Sequence, residues 1–228
     1  MRPRDLDVTY RRRFDAHLAY RNRVWRVLAA KYFARFIAPD ATVLDLGCGY
    51  GEFINHIACG KKYAIDLNAR ARQYLAAGVT FFEQDCAARW PLEDASLDVV
   101  FTSNFFEHLP SKQALAETLA EAWRCLRPGG RILAMGPNIR FIGGAYWDFW
   151  DHHLALTEIS MAEALEVQGF AVERVLPRFL PYTMVNRRRA PAVLLSVYLK
   201  IPALWRLFGR QFLVFAAKPA SVAPRGEC

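Results

Sequence analysis

The sequence predicts an α/β protein built on a doubly wound, mostly parallel sheet, and three observations predict it. Short apolar runs alternate with longer polar-flanked segments along residues 42–135, the pattern that buries a parallel sheet between helical layers. The first run, Val43-Leu44-Asp45-Leu46, breaks into three alternating glycines, Gly47, Gly49 and Gly51. Glycine accepts the positive φ of a tight strand-to-helix turn and lets a ligand approach the backbone, and a helix after it would aim free N–H groups at that ligand. The second run, ending in Asp66, closes on an acid 21 positions after Asp45, near the roughly 20-residue offset at which an α/β unit holds ribose hydroxyls.

The elements follow in order. Residues 21–37 read as an amphipathic helix, with Val24, Leu28, Tyr32 and Phe36 at four-residue steps, ending before Pro39-Asp40. Strands are expected at 42–46, 62–66, 79–85, 97–103 and 131–135, with room for helices between them. Ser111 can cap a helix whose inner face carries Leu115, Leu119, Trp123 and Leu126, closed by Pro128-Gly129-Gly130. Ser160-Met161-Ala162-Glu163 has capping-box spacing, and Gly169 can end the helix it starts. Residues 172–176 and 212–217 read as the last two strands. About thirty residues between them form an insertion: Arg187-Arg188-Arg189, an apolar helix over 190–200, and a short helix restarted by Pro202. That insertion is either buried, a cover over an apolar substrate, or a segment resting on a bilayer surface with its arginines on phosphates.

The glycine spacing narrows the loop's chemistry. A dinucleotide fingerprint needs its third glycine where this chain has Glu52, and no Gly-x-x-x-x-Gly-Lys-Ser/Thr pattern is present. Asp45-Leu46-Gly47-Cys48-Gly49-Tyr50-Gly51 instead resembles the first motif of the class I S-adenosylmethionine-dependent methyltransferases, of the type 11 and ubiquinone-biosynthesis kind. Three more stretches resemble that family in the same order: Phe82 to Cys86, Leu97 to Leu109, and Leu126 to Leu133. The resemblance covers about residues 40–136. It implies a Rossmann-like seven-stranded sheet closed by an antiparallel last strand, and S-adenosyl-L-methionine as cofactor.

It also implies roles for particular residues. Gly47, Cys48, Gly49 and Gly51 would pass under the methionine part of the cofactor, and Asp45 would neutralise its ammonium. Asp66, followed by Leu67, would bind the ribose; Asp85 and the backbone of Cys86 would read the adenine; Asn104 would border the site after strand four. Asp45 tying down the turn and Asp85 as a plain strand-end acid are the competing readings.

The acid–base candidates are Glu107 and His108 after strand four, and His152 and His153, which with Asp148 and Asp151 follow strand five in an aromatic stretch. Each histidine can accept a proton from a hydroxyl or simply orient a loop. Some ubiquinone-type O-methyltransferases carry an acid-x-x-Glu-His cluster that binds a divalent ion. Here Asn104 stands in the first position, and an amide is a poorer ligand for a hard cation, so no metal is expected.

At 228 residues and 54% apolar content, one domain with one substantial core is expected. Its parts would be a helical lid (1–40), a cofactor-binding core (41–180), a substrate-cap insertion (181–210), the last strand (211–218) and a tail (219–228). Five cysteines without a Cys-x-x-Cys pair point to a reducing cytoplasm, and no signal peptide or spanning helix is expected. The net charge of +8 divides into +6 over residues 1–40, −6 over 41–172 and +8 over 173–228. An acidic core between basic flanks suggests that the flanks meet something anionic, or form a solvated face. A small-molecule acceptor is expected, lipid-linked or anionic and methylated at oxygen, with peripheral membrane contact through 187–210. Nucleic acid is disfavoured, because no RNA-binding module and no Asn/Asp-Pro-Pro-Tyr motif is present. A fold kept for binding or assembly without turnover is the alternative.

Overall fold

The computed structural model describes Val8, residues 17–182 and residues 191–220. Arg187, Arg188 and Arg189 lie outside the described residues. Helix α1 (Leu18–Lys31) leads through a short 3-10 turn into strand β1 (Thr42–Leu46), followed by β2 (Lys61–Asp66), β3 (Val79–Glu83) and β4 (Leu97–Ser103). Then come α2 (Lys112–Cys125), β5 (Leu126–Pro137), α3 (Ile139–Ile142), α4 (Glu158–Val167), β6 (Ala171–Leu176), α5 (Ala192–Tyr198), α6 (Pro202–Phe208) and β7 (Gln211–Ala217). The seven strands lie in the order β3-β2-β1-β4-β5-β7-β6, parallel except for β7, which pairs antiparallel with β5 and β6. The order reverses between β1 and β4, so the loops leaving those strands diverge and open a crevice at the carboxyl edge.

Alternating side chains send each strand into two layers. On one face Leu44, Leu46, Val100 and Ile132 pack under α2 and α4 through Leu115, Leu119, Met161 and Leu165. On the other, Val43, Phe101, Leu133 and Phe215 pack under α1, α5 and α6 through Leu28, Ala29, Leu199 and Trp205. The stripe of α1 holds, with Leu28 and Tyr32 buried and Val24 and Phe36 partly so. Trp25 and Phe33 face inward too, each meeting Phe101 edge-on at centroid distances of 5.9 and 4.9 Å.

Three expectations are corrected. The connections after β1, β2 and β3 carry no α-helix: a run of turns follows Gly51, a 3-10 turn spans Ala69–Tyr74, and irregular chain leads to β4. The chain passes from Gly51 to Lys61 too quickly for a long helix, and Phe53, Ile54 and Ile57 fill the space from the turns. Helix α2, capped by Ser111 as expected (Ala114 N–H to Oγ, 3.1 Å), stops at Cys125, before Pro128-Gly129-Gly130, because Leu126 already belongs to β5. Helix α4 is capped by Thr157, not Ser160: the two hydroxyls accept each other's backbone N–H reciprocally, so Ser160 is the third helical residue of the box.

The insertion packs against the sheet. Tyr198 donates to the Phe179 carbonyl (2.6 Å) and Trp205 Nε1 to the Tyr198 carbonyl (2.8 Å). Val193, Leu194, Val197, Ile201, Leu207 and Phe208 stay exposed. Among the described residues no helix is long and apolar enough to cross a membrane.

Candidate functional site

The loop after β1 gathers buried acids. Asp45 and Asp66, both at strand ends, and Glu52 from the following turn are each 4% exposed or less. Arg21 of α1 reaches Glu52 at 2.6 Å. Asp45 accepts only a long 3.3 Å bond from the Ile54 N–H. Burial, with the charges of Glu52 and Asp66 adding to it, pushes the Asp45 carboxyl well above the usual carboxylate range. Burial, with the same acids adding to it, also pushes the Cys48 thiol up, so it stays neutral. Three buried acids face one arginine around this loop, an arrangement short of positive charge.

Asp66 is also structural. Its Oδ2 accepts the Gly49 N–H and its Oδ1 the Asn68 N–H, both at 2.8 Å, tying the loop to the end of β2. Leu67 beside Asp66 is 46% exposed. Asp85 is exposed and caps its own turn through the Ala87 N–H (2.9 Å), whereas Cys86 is buried with its thiol beside the Gly47 backbone.

Two glycines are required for different reasons. Gly47 (φ +65°) has no room: a Cβ there would meet the Phe105 ring at 2.3 Å. Gly49 (φ +56°) has open space, its nearest neighbour being Glu52 Oε2 at 3.9 Å. We therefore expect Gly49→Val to cost about 1–3 kcal/mol of backbone strain yet to abolish ligand binding at the crevice. A variant that titrates with S-adenosylmethionine like the parent would show that the loop has been misread.

Asp45→Asn tests the pocket's charge. A carboxyl raised in the folded state destabilises the fold progressively as pH rises above its unfolded value of about 4, and the penalty persists above the folded pKa. The neutral amide keeps an acceptor for Ile54 and removes that penalty. At pH 7 the ligand-free variant should therefore melt roughly 2–4 °C higher per kcal/mol recovered, with the gain vanishing below about pH 4. A lower melting point at pH 7 would contradict the assignment.

Across the crevice, Asn104 leaves β4 with φ +51°, a left-handed conformation asparagine tolerates better than most residues. Its N–H donates to the Met135 carbonyl (2.9 Å) and its amide to Ser103 Oγ (2.9 Å). Phe105 then packs on Gly47, and Glu107 is buried at 1% exposure. His108 Nδ1 lies 3.0 Å from the Asp151 carbonyl and 3.2 Å from its carboxylate. Burial pulls the His108 pKa down, but the hydrogen bond and charge of Asp151 and the charge of Glu107 outweigh it, and the net shift is upward. His152 is buried 5.0 Å from the His108 ring, stacked on Phe149 and next to Tyr146.

Of the four acid–base candidates the fold brings three together. Glu107, His108 and His152 offer donor atoms within 4.8 Å of one another, a set that can move a proton or hold a divalent ion. His153 is exposed and contributes its backbone N–H, which donates to the Glu107 carbonyl at 2.8 Å. Asp148 is exposed as well. Sequence reasoning missed Glu52 and Arg21. Glu52 was visible as the residue where a dinucleotide loop would have glycine, but its partner sits 31 positions away.

The fold is a doubly wound α/β sheet with three buried acids gathered around the loop after β1. Residues 44–134 match the family model of the methyltransferase domain. The chain is 34% identical over 143 residues to a protein of Mycolicibacterium smegmatis named "Probable S-adenosylmethionine-dependent methyltransferase", covering 60% of this chain and 54% of that one. It is 31% identical over 135 residues to the ubiquinone/menaquinone biosynthesis C-methyltransferase of Brucella anthropi, covering 53% and 50%. A methyltransferase structure from Archaeoglobus fulgidus superposes with a TM-score of 0.58 at 22% identity, over 85% of this chain and 94% of that one. Residues 44–134 thus resemble the S-adenosylmethionine-dependent methyltransferase domain, and these two relatives are named as methyltransferases. The chain spans about half the length of these two curated relatives.

Proposed function

We propose that this protein transfers a methyl group from S-adenosylmethionine to an oxygen on a small, lipid-linked or anionic acceptor. The observation that carries the reading is the trio of buried acids Asp45, Glu52 and Asp66 around a loop that leaves open space above Gly49. The cofactor supplies a methyl carbon already activated by its sulfonium, so little covalent work falls to the protein. Asp45 offsets the cofactor's ammonium, Asp66 accepts from ribose hydroxyls, and Leu67, Asp85 and Cys86 border the adenine. Arg21, held by Glu52, pins α1 beside the loop as a lid. His108, donating from Nδ1 to Asp151, keeps Nε2 as the lone-pair nitrogen for the acceptor's proton, with Asp151 and Glu107 shaping its charge.

Relatives named for ubiquinone/menaquinone biosynthesis and for 27-O-demethylrifamycin SV methylation support a small acceptor. The exposed apolar residues of α5 and α6, next to Lys200 and Arg206, support peripheral contact of residues 187–210 with an anionic membrane surface on the cytoplasmic side. Incubation with methyl-labelled cofactor and a panel of phenolic and hydroxylated acceptors, with and without lipid tails, tests the reading. Label in a product ether is expected; tight cofactor binding with no transfer to any acceptor would favour the non-catalytic alternative.

A further inference from the structure

The two basic flanks converge on one cavity, away from the methyl-transfer crevice. A space of about 870 Å³ lies between the end of α1, β6, α5 and α6, lined by Lys31, Tyr32, Arg35, Arg174, Lys200 and Trp205 among others. Four of these carry positive charge, none of the lining residues is acidic, and among the described residues none of the four makes an ion pair. In an adjoining space of about 470 Å³, Glu173 is already engaged by Arg131 at 2.9 Å. The cations are backed by aromatic rings: the Arg35 guanidinium sits 4.6 Å from the Tyr32 ring centroid, and Arg174 lies 5.9 Å from that of Phe215. The Tyr32 hydroxyl is buried in that wall, under the charges of Arg174 and Arg35, with no hydrogen-bond partner among the described residues.

Four like charges from three separate segments repel one another unless something neutralises them. Guanidinium groups held on ring faces are ordered in advance for a phosphate's oxygens, and a volume of this size suits a small amphiphile. The cavity is also separated from the crevice. Arg21 marks the loop end of α1 and Lys31 the cavity end, ten residues or about 15 Å apart along the helix. We propose that this cavity binds a phosphate group carried on an apolar body, at a second site distinct from the methyl acceptor's.

Calorimetric titration of the full chain at low ionic strength, with dodecyl phosphate, inorganic phosphate and vesicles containing phosphatidic acid, tests this. Saturable binding of dodecyl phosphate is expected, tighter than that of inorganic phosphate, and weakened about tenfold or more in Arg174→Gln/Lys200→Gln. Ser196→Phe, which fills the mouth from α5 without removing charge, should give the same loss. Affinity for S-adenosylmethionine should be the same in every variant, which also reports that each is folded. Vesicle binding with the same losses assigns the phosphate to a lipid surface, and binding of dodecyl phosphate alone assigns it to a soluble amphiphile. No binding of any probe by the parent, or binding that both variants retain, overturns the proposal. Neither result depends on methyl transfer, so failure here and failure of the catalytic reading are separable.

Discussion

His108→Gln is expected to lower kcat by about 10²–10⁴-fold, the range for loss of a general base, while leaving affinity for S-adenosylmethionine within about twofold. Glutamine keeps a donor for the Asp151 carbonyl, which His108 Nδ1 meets at 3.0 Å, but offers no basic nitrogen. The pH profile separates chemistry from packing. Asp151 and Glu107 hold the His108 pKa above its ordinary 6.5, so the parent's kcat should fall tenfold per unit as pH drops below that raised value. The variant should lack this limb. The same shift fixes a stability trend of opposite sense: a histidine raised by folding stabilises fully below its unfolded pKa and loses that contribution as pH rises through the folded one. If the variant keeps both rate and limb, the base lies elsewhere, and His152, beside the same carboxylate, is the next residue to replace.

Asp66→Ala should have the second largest effect, and on two quantities at once. Loss of charge-assisted bonds to the ribose is worth roughly 1.5–3 kcal/mol, about 10- to 150-fold in affinity. The structure adds a cost, because the Gly49 and Asn68 N–H groups both end on this carboxylate. Leaving them without an acceptor should destabilise the domain by about 1–3 kcal/mol, visible as a lower denaturation midpoint. Unchanged affinity would remove Asp66 from the ribose site, and unchanged stability would remove it from the loop's support.

The first four strands were legible because each is a short, mostly apolar run ended by a polar residue or glycine, a signal local to five to seven positions. All seven strands fall within a few residues of where the run pattern puts them, β5 being the longest extension. The connections were less legible. Room for a helix between β1 and β4 is not a helix, and here turns with Phe53, Ile54 and Ile57 fill the space instead. At α4 the Ser160 to Glu163 spacing imitates a capping box, while the true pair, Thr157 and Ser160, lacks the acid or amide that usually marks one. The loop and its flanking acids could be read as a motif. The His108–Asp151 contact, across 43 positions, and the meeting of Lys31, Arg35, Arg174 and Lys200 could not, since only the folded chain joins them. Charge totals hinted that the flanks meet an anion, and the cavity gives that hint a location.

The central claim is that the acid-lined crevice above Gly49 holds S-adenosylmethionine, and one calorimetric titration tests it most directly. The parent protein is titrated with the cofactor alongside Gly49→Val and Asp45→Asn. A single saturable site is expected in the parent, no measurable binding in Gly49→Val, and affinity reduced by roughly 1.5–3 kcal/mol in Asp45→Asn, where the ammonium loses its counter-charge. Absence of binding by the folded parent, or equal binding by all three proteins, would contradict it.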